Sequence, residues 1–143
     1  MVVPVNMNSG YSYSQQLYTA QEIGIASGDI TGVSFKVNSG FSGTRTVDVY
    51  MKHTEKTVFV DGYTYEKMTE DNKVFSGNFV VEANEGKWAE IVFDTPFAYE
   101  GGNFVISIND YTASNTGETY FGTDYLEEYK TLYYYPYLGG SKL

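Results

Sequence analysis

Lys87-Trp-Ala-Glu-Ile-Val-Phe-Asp-Thr-Pro-Phe-Ala-Tyr-Glu-Gly-Gly-Asn-Phe-Val-Ile-Ser-Ile-Asn-Asp110 holds two alternating apolar and polar runs around a Pro and Gly-Gly connection. A period of two is the signature of strands with one buried face, so the stretch predicts antiparallel β architecture. Ala89, Ile91 and Phe93, then Phe104, Ile106 and Ile108, form the core face. Trp88 and Glu90 take the opposite face of the first run, which is left for recognition.

The same alternation recurs upstream. Val33, Phe35 and Val37 alternate with Ser34 and Lys36, and after a Gly/Ser-rich turn Val47, Val49 and Met51 point inward. Asp48, Tyr50 and Lys52 share the other face of that strand, which sets an aromatic ring between a carboxylate and an ammonium. Residues 73–82 predict a further strand with Phe75, Phe79 and Val81 on one side and a bulge at Gly77. Tyr11 to Thr19 reads as a strand, and Ala20 to Ile23 as one helical turn before Gly24. Residues 54–72 carry Phe59, Tyr63 and Tyr65 without a sustained period and read as a long loop, with room for a short edge strand, forming a binding rim. The tail beyond Asp110 adds one or two closing strands.

The count reaches about eight or nine strands with long connections, which predicts an all-β, two-sheet antiparallel β-sandwich of jelly-roll type. A length of 143 residues fits one domain over 1–143, and an apolar content of 42% is enough for its core. Gly139-Gly140-Ser141 reads as the start of a linker, so the chain is expected to be a module excised from a larger secreted protein. Ser141-Lys142-Leu143 also spells a peroxisomal address, which a terminus of common residues produces by chance.

Composition narrows the function. A net charge of −9 repels nucleic acid and anionic membrane surfaces. No run nears the roughly 18 apolar residues of a membrane span, so membrane insertion is not expected. With no Cys there is neither a disulfide framework nor a thiolate nucleophile. The single His53, inward on its strand, reads as a hydrogen-bonded residue at the strand end rather than a metal ligand. No cofactor is required; structural calcium near Asn109, Asp110, Asp29 and Asp124 is the one metal considered, without an EF-hand spacing.

Tyr18-Thr-Ala-Gln-Glu-Ile-Gly, Ile30-Thr-Gly-Val-Ser-Phe, Thr44-Arg-Thr-Val-Asp-Val-Tyr-Met-Lys-His-Thr, Gly86-Lys-Trp and Phe93-Asp-Thr-Pro-Phe-Ala-Tyr-Glu-Gly-Gly-Asn-Phe-Val-Ile together span most of the chain. This series resembles β-sandwich modules of multidomain secreted or surface proteins of Bacteroidetes-type bacteria, similar to carbohydrate-binding modules and gingipain-type adhesin domains. The resemblance implies a jelly roll, an extracellular setting at the cell surface or beyond, attachment to other domains, and non-catalytic binding. It transfers no set of site residues.

Sugar recognition needs flat apolar rings for pyranose faces and planar polar groups for hydroxyls. Trp88 with Glu90, and Tyr50 with Asp48 and Lys52, supply both kinds, with Asn109, Tyr111 and Tyr125 as further contacts near turns. A lone Trp is usually packed, and Tyr50 could simply cover the outer sheet face. The leading expectation is a carbohydrate-binding module that tethers an enzyme or cell to a polysaccharide. The alternative is an adhesin or assembly module that binds protein, and a small hydrolase comes third.

Overall fold

The computed structural model describes residues 3–82, 86–122 and 130–134. The strands are β1 (Ser12–Tyr18), β2 (Gly28–Gly40), β3 (Gly43–Thr54), β4 (Lys73–Val81), β5 (Trp88–Tyr99), β6 (Asn103–Asp110), β7 (Thr119–Phe121) and β8 (Thr131–Tyr134). One helical turn, α1 (Ala20–Ile23), follows β1, and a 3-10 turn spans Glu70–Asn72. Thr19 caps α1 reciprocally with Glu22, and Gly24 ends it at φ 76°, a left-handed conformation that glycine adopts without a Cβ clash.

The strands form two antiparallel sheets, ordered β4-β3-β6-β1-β8 and β5-β2-β7. In the order β1-β6-β3-β4 facing β7-β2-β5, β6 inserts between β1 and β3 and β2 between β5 and β7, the crossover pattern of a jelly roll, while β3 and β4 pair as sequence neighbours. The predicted sandwich is therefore present. The two runs of the 87–110 stretch share one core from opposite sides: β5 pairs with β2, while β6 pairs with β1 and β3.

Alternation dictates what fills the space between the sheets. Val47, Val49 and Met51 of β3 and Phe104, Ile106 and Ile108 of β6 face Val37 of β2, Ala89, Ile91 and Phe93 of β5, and Phe121 of β7 in one buried cluster. Each such aliphatic or aromatic side chain contributes about 1.5–3 kcal/mol on burial. Gly40 lies so near β7 that a Cβ would sit 2.3 Å from the Glu118 carbonyl oxygen, so only glycine permits that crossing. The bulge expected at Gly77 falls elsewhere: Val47 faces Gly77 in register, and the β3–β4 ladder slips between Phe75 and Lys73, which puts Lys73 beside Tyr50.

The segment 55–69, read from sequence as an open rim, instead closes over the outside of the five-stranded sheet. Phe59 is buried there against Leu17, Val105 and Leu132, with Tyr65 and Met68 packed on top. The irregular spacing has a physical reason: a loop that lies flat on a sheet presents side chains where its backbone turns, with no fixed period. Gln15 clamps it, donating from Nε2 to the Glu66 carbonyl at 2.7 Å and accepting the Glu66 amide on Oε1 at 2.8 Å.

Candidate functional site

Trp88 opens β5, opposite Lys36 of β2, on the outer face of the three-stranded sheet. The packing expected of a lone Trp does not occur, for its side chain is 64% exposed. Beside it β2 has β5 on one flank along Gly28–Lys36, while β7 joins the other flank only from Val37 onward. A cleft of about 490 Å³ lies here, lined by Trp88, Ser34, Lys36 and Asn38 with Gln16 and Thr131 from β1 and β8. The Tyr18 hydroxyl donates to Gln16 Oε1 at 2.9 Å and fixes the orientation of that amide. Tyr18, Ser34 and Phe35 also line an adjoining apolar recess of about 260 Å³ with Ile23, Val33, Phe104 and Ile106. An exposed indole, two carboxamides, three hydroxyls and an ammonium thus converge on one hollow, and burial pushes the Tyr18 phenol up from its ordinary pKa.

The second predicted group gathers on the other sheet. Asp48 lies opposite Asn109, and Tyr50 opposite Ser107, on the outer face of the β3–β6 ladder. Asp48 Oδ1 accepts the Ser76 hydroxyl at 2.6 Å and the Tyr111 hydroxyl at 3.0 Å. The Lys73 ammonium stands 5.7 Å from the Tyr50 ring centroid, within cation–π reach. Burial raises the Tyr50 phenol above its ordinary pKa, and the Lys73 charge partly offsets that. Tyr13 lies opposite Asn109 and also opposite Tyr134, and its ring meets Tyr65 edge-on at 5.2 Å. Lys52 turns from this group toward the covering loop, donating from Nζ to the Lys67 carbonyl at 3.2 Å.

The predicted residues therefore divide between two surfaces. Asp48, Tyr50, Asn109 and Tyr111 come together, with Lys52 at their margin; Trp88 and the exposed Glu90 stand on the opposite sheet, because β5 and β3 are not neighbours. Tyr125 and Asp124 lie outside the described residues. Asp110, considered for calcium with Asn109, faces the interior and bonds Arg45, while Asn109 faces outward on the same strand. Among the described residues no three acidic or histidine side chains form a metal-binding group. His53 is hydrogen-bonded at the end of β3 as expected, its Nε2 accepting the Glu100 amide at 3.1 Å and its ring lying over Phe97 at 4.7 Å.

Sequence reasoning missed Gln16, Asn38 and Thr131 in the cleft, and Tyr13, Ser76 and Ser107 on the sheet face. Those on β1 sit in Ser-Tyr-Ser-Gln-Gln, where no apolar residue marks a face until Leu17. The signal available was parity alone: Gln16 shares the Tyr18 side of β1 and Tyr13 shares that of Leu17. Comparison with protein-family models, with curated proteins and with solved structures finds no match to this chain.

Proposed function

We propose that the chain is a non-catalytic carbohydrate-binding module that holds polysaccharide in the Trp88 cleft. One observation carries this reading: an indole 64% exposed on the wall of a cleft of about 490 Å³ whose other walls bear Gln16, Ser34, Lys36, Asn38 and Thr131. An exposed Trp costs apolar hydration unless a partner covers it, and a pyranose ring offers a flat array of C–H groups of matching size. Amides and hydroxyls around the ring supply the donors and acceptors that sugar hydroxyls need in planar geometry. These groups bind and orient. A module of this kind works where polysaccharide is met, outside the cell, by raising the local substrate concentration for domains attached to it.

A second reading is an adhesin or assembly module that binds protein. It is favoured by Val92, 65% exposed on the same outer face of β5 as Trp88, which extends the uncovered apolar surface beyond the cleft.

Affinity electrophoresis of the purified chain through gels containing xylan, galactomannan, mixed-linkage β-glucan or yeast mannan separates the two. The carbohydrate reading expects retardation in at least one gel, weakened about tenfold in apparent affinity by Trp88→Ala, the loss of one stacked ring. No retardation of the wild-type chain in any of them overturns it in favour of the protein-binding reading.

A further inference from the structure

Two polar atoms on the outer face of the five-stranded sheet, Ser107 Oγ and Asn109 Oδ1, are buried without a hydrogen-bond partner among the described residues. Buried polar atoms are satisfied in the great majority of cases, and an exception calls for an explanation. Both belong to β6 and point to the same side, next to Tyr50, Asp48 and Tyr13 in register. Half-buried tyrosines frame them: Tyr50 beside Ser107, Tyr13 beside Asn109, Tyr111 bonded to Asp48, with Tyr134, 47% exposed, continuing the row. The loop that covers Leu17, Val105 and Leu132 reaches one margin of this group, where Tyr65 meets Tyr13 edge-on and Glu66 holds Gln15, the neighbour of Ser107 on β1. Asp48 and Tyr50 are engaged instead by Ser76, Tyr111 and Lys73.

We infer that this tyrosine-framed floor is a second saccharide-contacting surface, so that the module engages glycan on two opposite faces; this rests on the carbohydrate reading above. The chemistry of the floor selects the ligand. Asn109 Oδ1 accepts only and Ser107 Oγ has acceptor capacity to spare, while Asp48 already receives two hydroxyls, so the partner must bring donors. The aromatic frame calls for apolar ring faces between those donors. A cationic ligand meets competition, because the Lys73 ammonium already stands against Tyr50 and within 3.9 Å of Asp48. An anion meets the Asp48 carboxylate. A neutral, hydroxyl-rich ring satisfies each condition, its hydroxyl reaching the floor as Tyr50 turns aside, while Tyr13 is held by Gln15 and Tyr65.

Two faces on one chain change how a polymer is held. Once one face is bound, the second engages neighbouring sugar units at high effective concentration, and one module can also join two polysaccharide chains.

The test uses the retarding polysaccharide and an oligosaccharide cut from it. Isothermal titration of the wild-type chain with the oligosaccharide should give two sites, and Trp88→Ala should retain one. Tyr50→Ala should retain the other, seen as unchanged quenching of the Trp88 fluorescence, and the double variant should lose retardation altogether. If Tyr50→Ala fails to fold, Tyr134→Ala and the stoichiometry of Trp88→Ala decide the matter. One site in the wild type and none in Trp88→Ala overturns the second surface and leaves the carbohydrate reading standing. Binding kept in Trp88→Ala and lost in Tyr50→Ala removes the cleft and keeps the tyrosine face. No binding by the wild type overturns both.

Discussion

Arg45 and Asp110 form an ion pair inside the sandwich, Arg45 Nε to Asp110 Oδ2 at 2.8 Å, with both side chains fully buried. The other guanidinium nitrogens hold carbonyls of two separate segments: Nη1 donates to Ser114 at 2.7 Å and Met7 at 3.4 Å, and Nη2 donates to Ser9. Asp110 Oδ1 in turn accepts the amide and hydroxyl of Thr112. One pair therefore ties the N-terminal segment and the connection after β6 to the centre of the sheet.

Removing one partner should be severe, because the other is left charged and desolvated. Asp110→Ala should cost about 3–5 kcal/mol, which lowers the melting temperature by about 10 °C or more in a chain of this size. The double change Arg45→Met with Asp110→Leu should recover a large part of that loss, since no charge is then stranded. Thermal melts followed by circular dichroism decide it; a drop under about 1 kcal/mol for Asp110→Ala would contradict a buried, uncompensated Arg45.

Trp88→Ala should behave in the opposite way. The ring is 64% exposed, so its truncation should shift stability by no more than about 0.5 kcal/mol, a typical surface effect. Because it is the only Trp, its fluorescence reports this site alone: emission should match a solvated indole and be quenched or shifted by a bound glycan. A loss of several degrees in the melt would place the ring in the core and remove the cleft's main wall.

The strands were legible because their determinants are local. Alternation from Val47 to Met51 and from Ala89 to Phe93 marks one buried face wherever the strand sits, and the Thr19, Glu22 and Gly24 signals bound α1 within one turn. The grouping of site residues was legible only within a sheet. Asp48, Tyr50 and Asn109 are joined by parity and the β3–β6 ladder, but which sheet β5 enters is set by jelly-roll crossovers, which leave no mark in residue spacing. The exposure of Trp88 is non-local for the same reason, since it depends on what packs over the outer face of the β2–β5 ladder and not on residue spacing. The segment over the outer face was hardest, as Phe59 looks like any loop aromatic until Leu17, Val105 and Leu132 supply the surface it covers.

That covering segment should be held mainly by Phe59. Its ring is 1% exposed, and Phe59→Ala should cost about 3–5 kcal/mol, of which the cavity left against Leu17 and Val105 is one part. Amide exchange should rise first across residues 55–69 and at Gln15, whose side chain loses its hold on Glu66 as the loop lifts. Uniform acceleration through all strands, with no lead in that segment, would show that the second cluster does not open on its own.

The same segment should also loosen in acid. The Lys56 ammonium, 2.9 Å from Glu66 Oε1, holds the Glu66 carboxyl below its ordinary pKa, outweighing the opposing effect of burial. A carboxyl with a depressed folded-state pKa binds its proton more readily in the unfolded chain, so its stabilisation is complete above the ordinary glutamate value. It is lost as pH falls through the folded-state value, where the native carboxyl also protonates. Glu66→Gln should therefore melt lower than wild type at neutral pH, by about 0.2–1 kcal/mol for a partly exposed ion pair, or about 1–3 °C. The gap should close in strong acid, because wild-type Glu66 is then neutral as well. A gap of constant size at every pH would mean that the substitution acts through shape or neutral hydrogen bonding and not through the charge, since the backbone clamp on Gln15 is the same in both proteins.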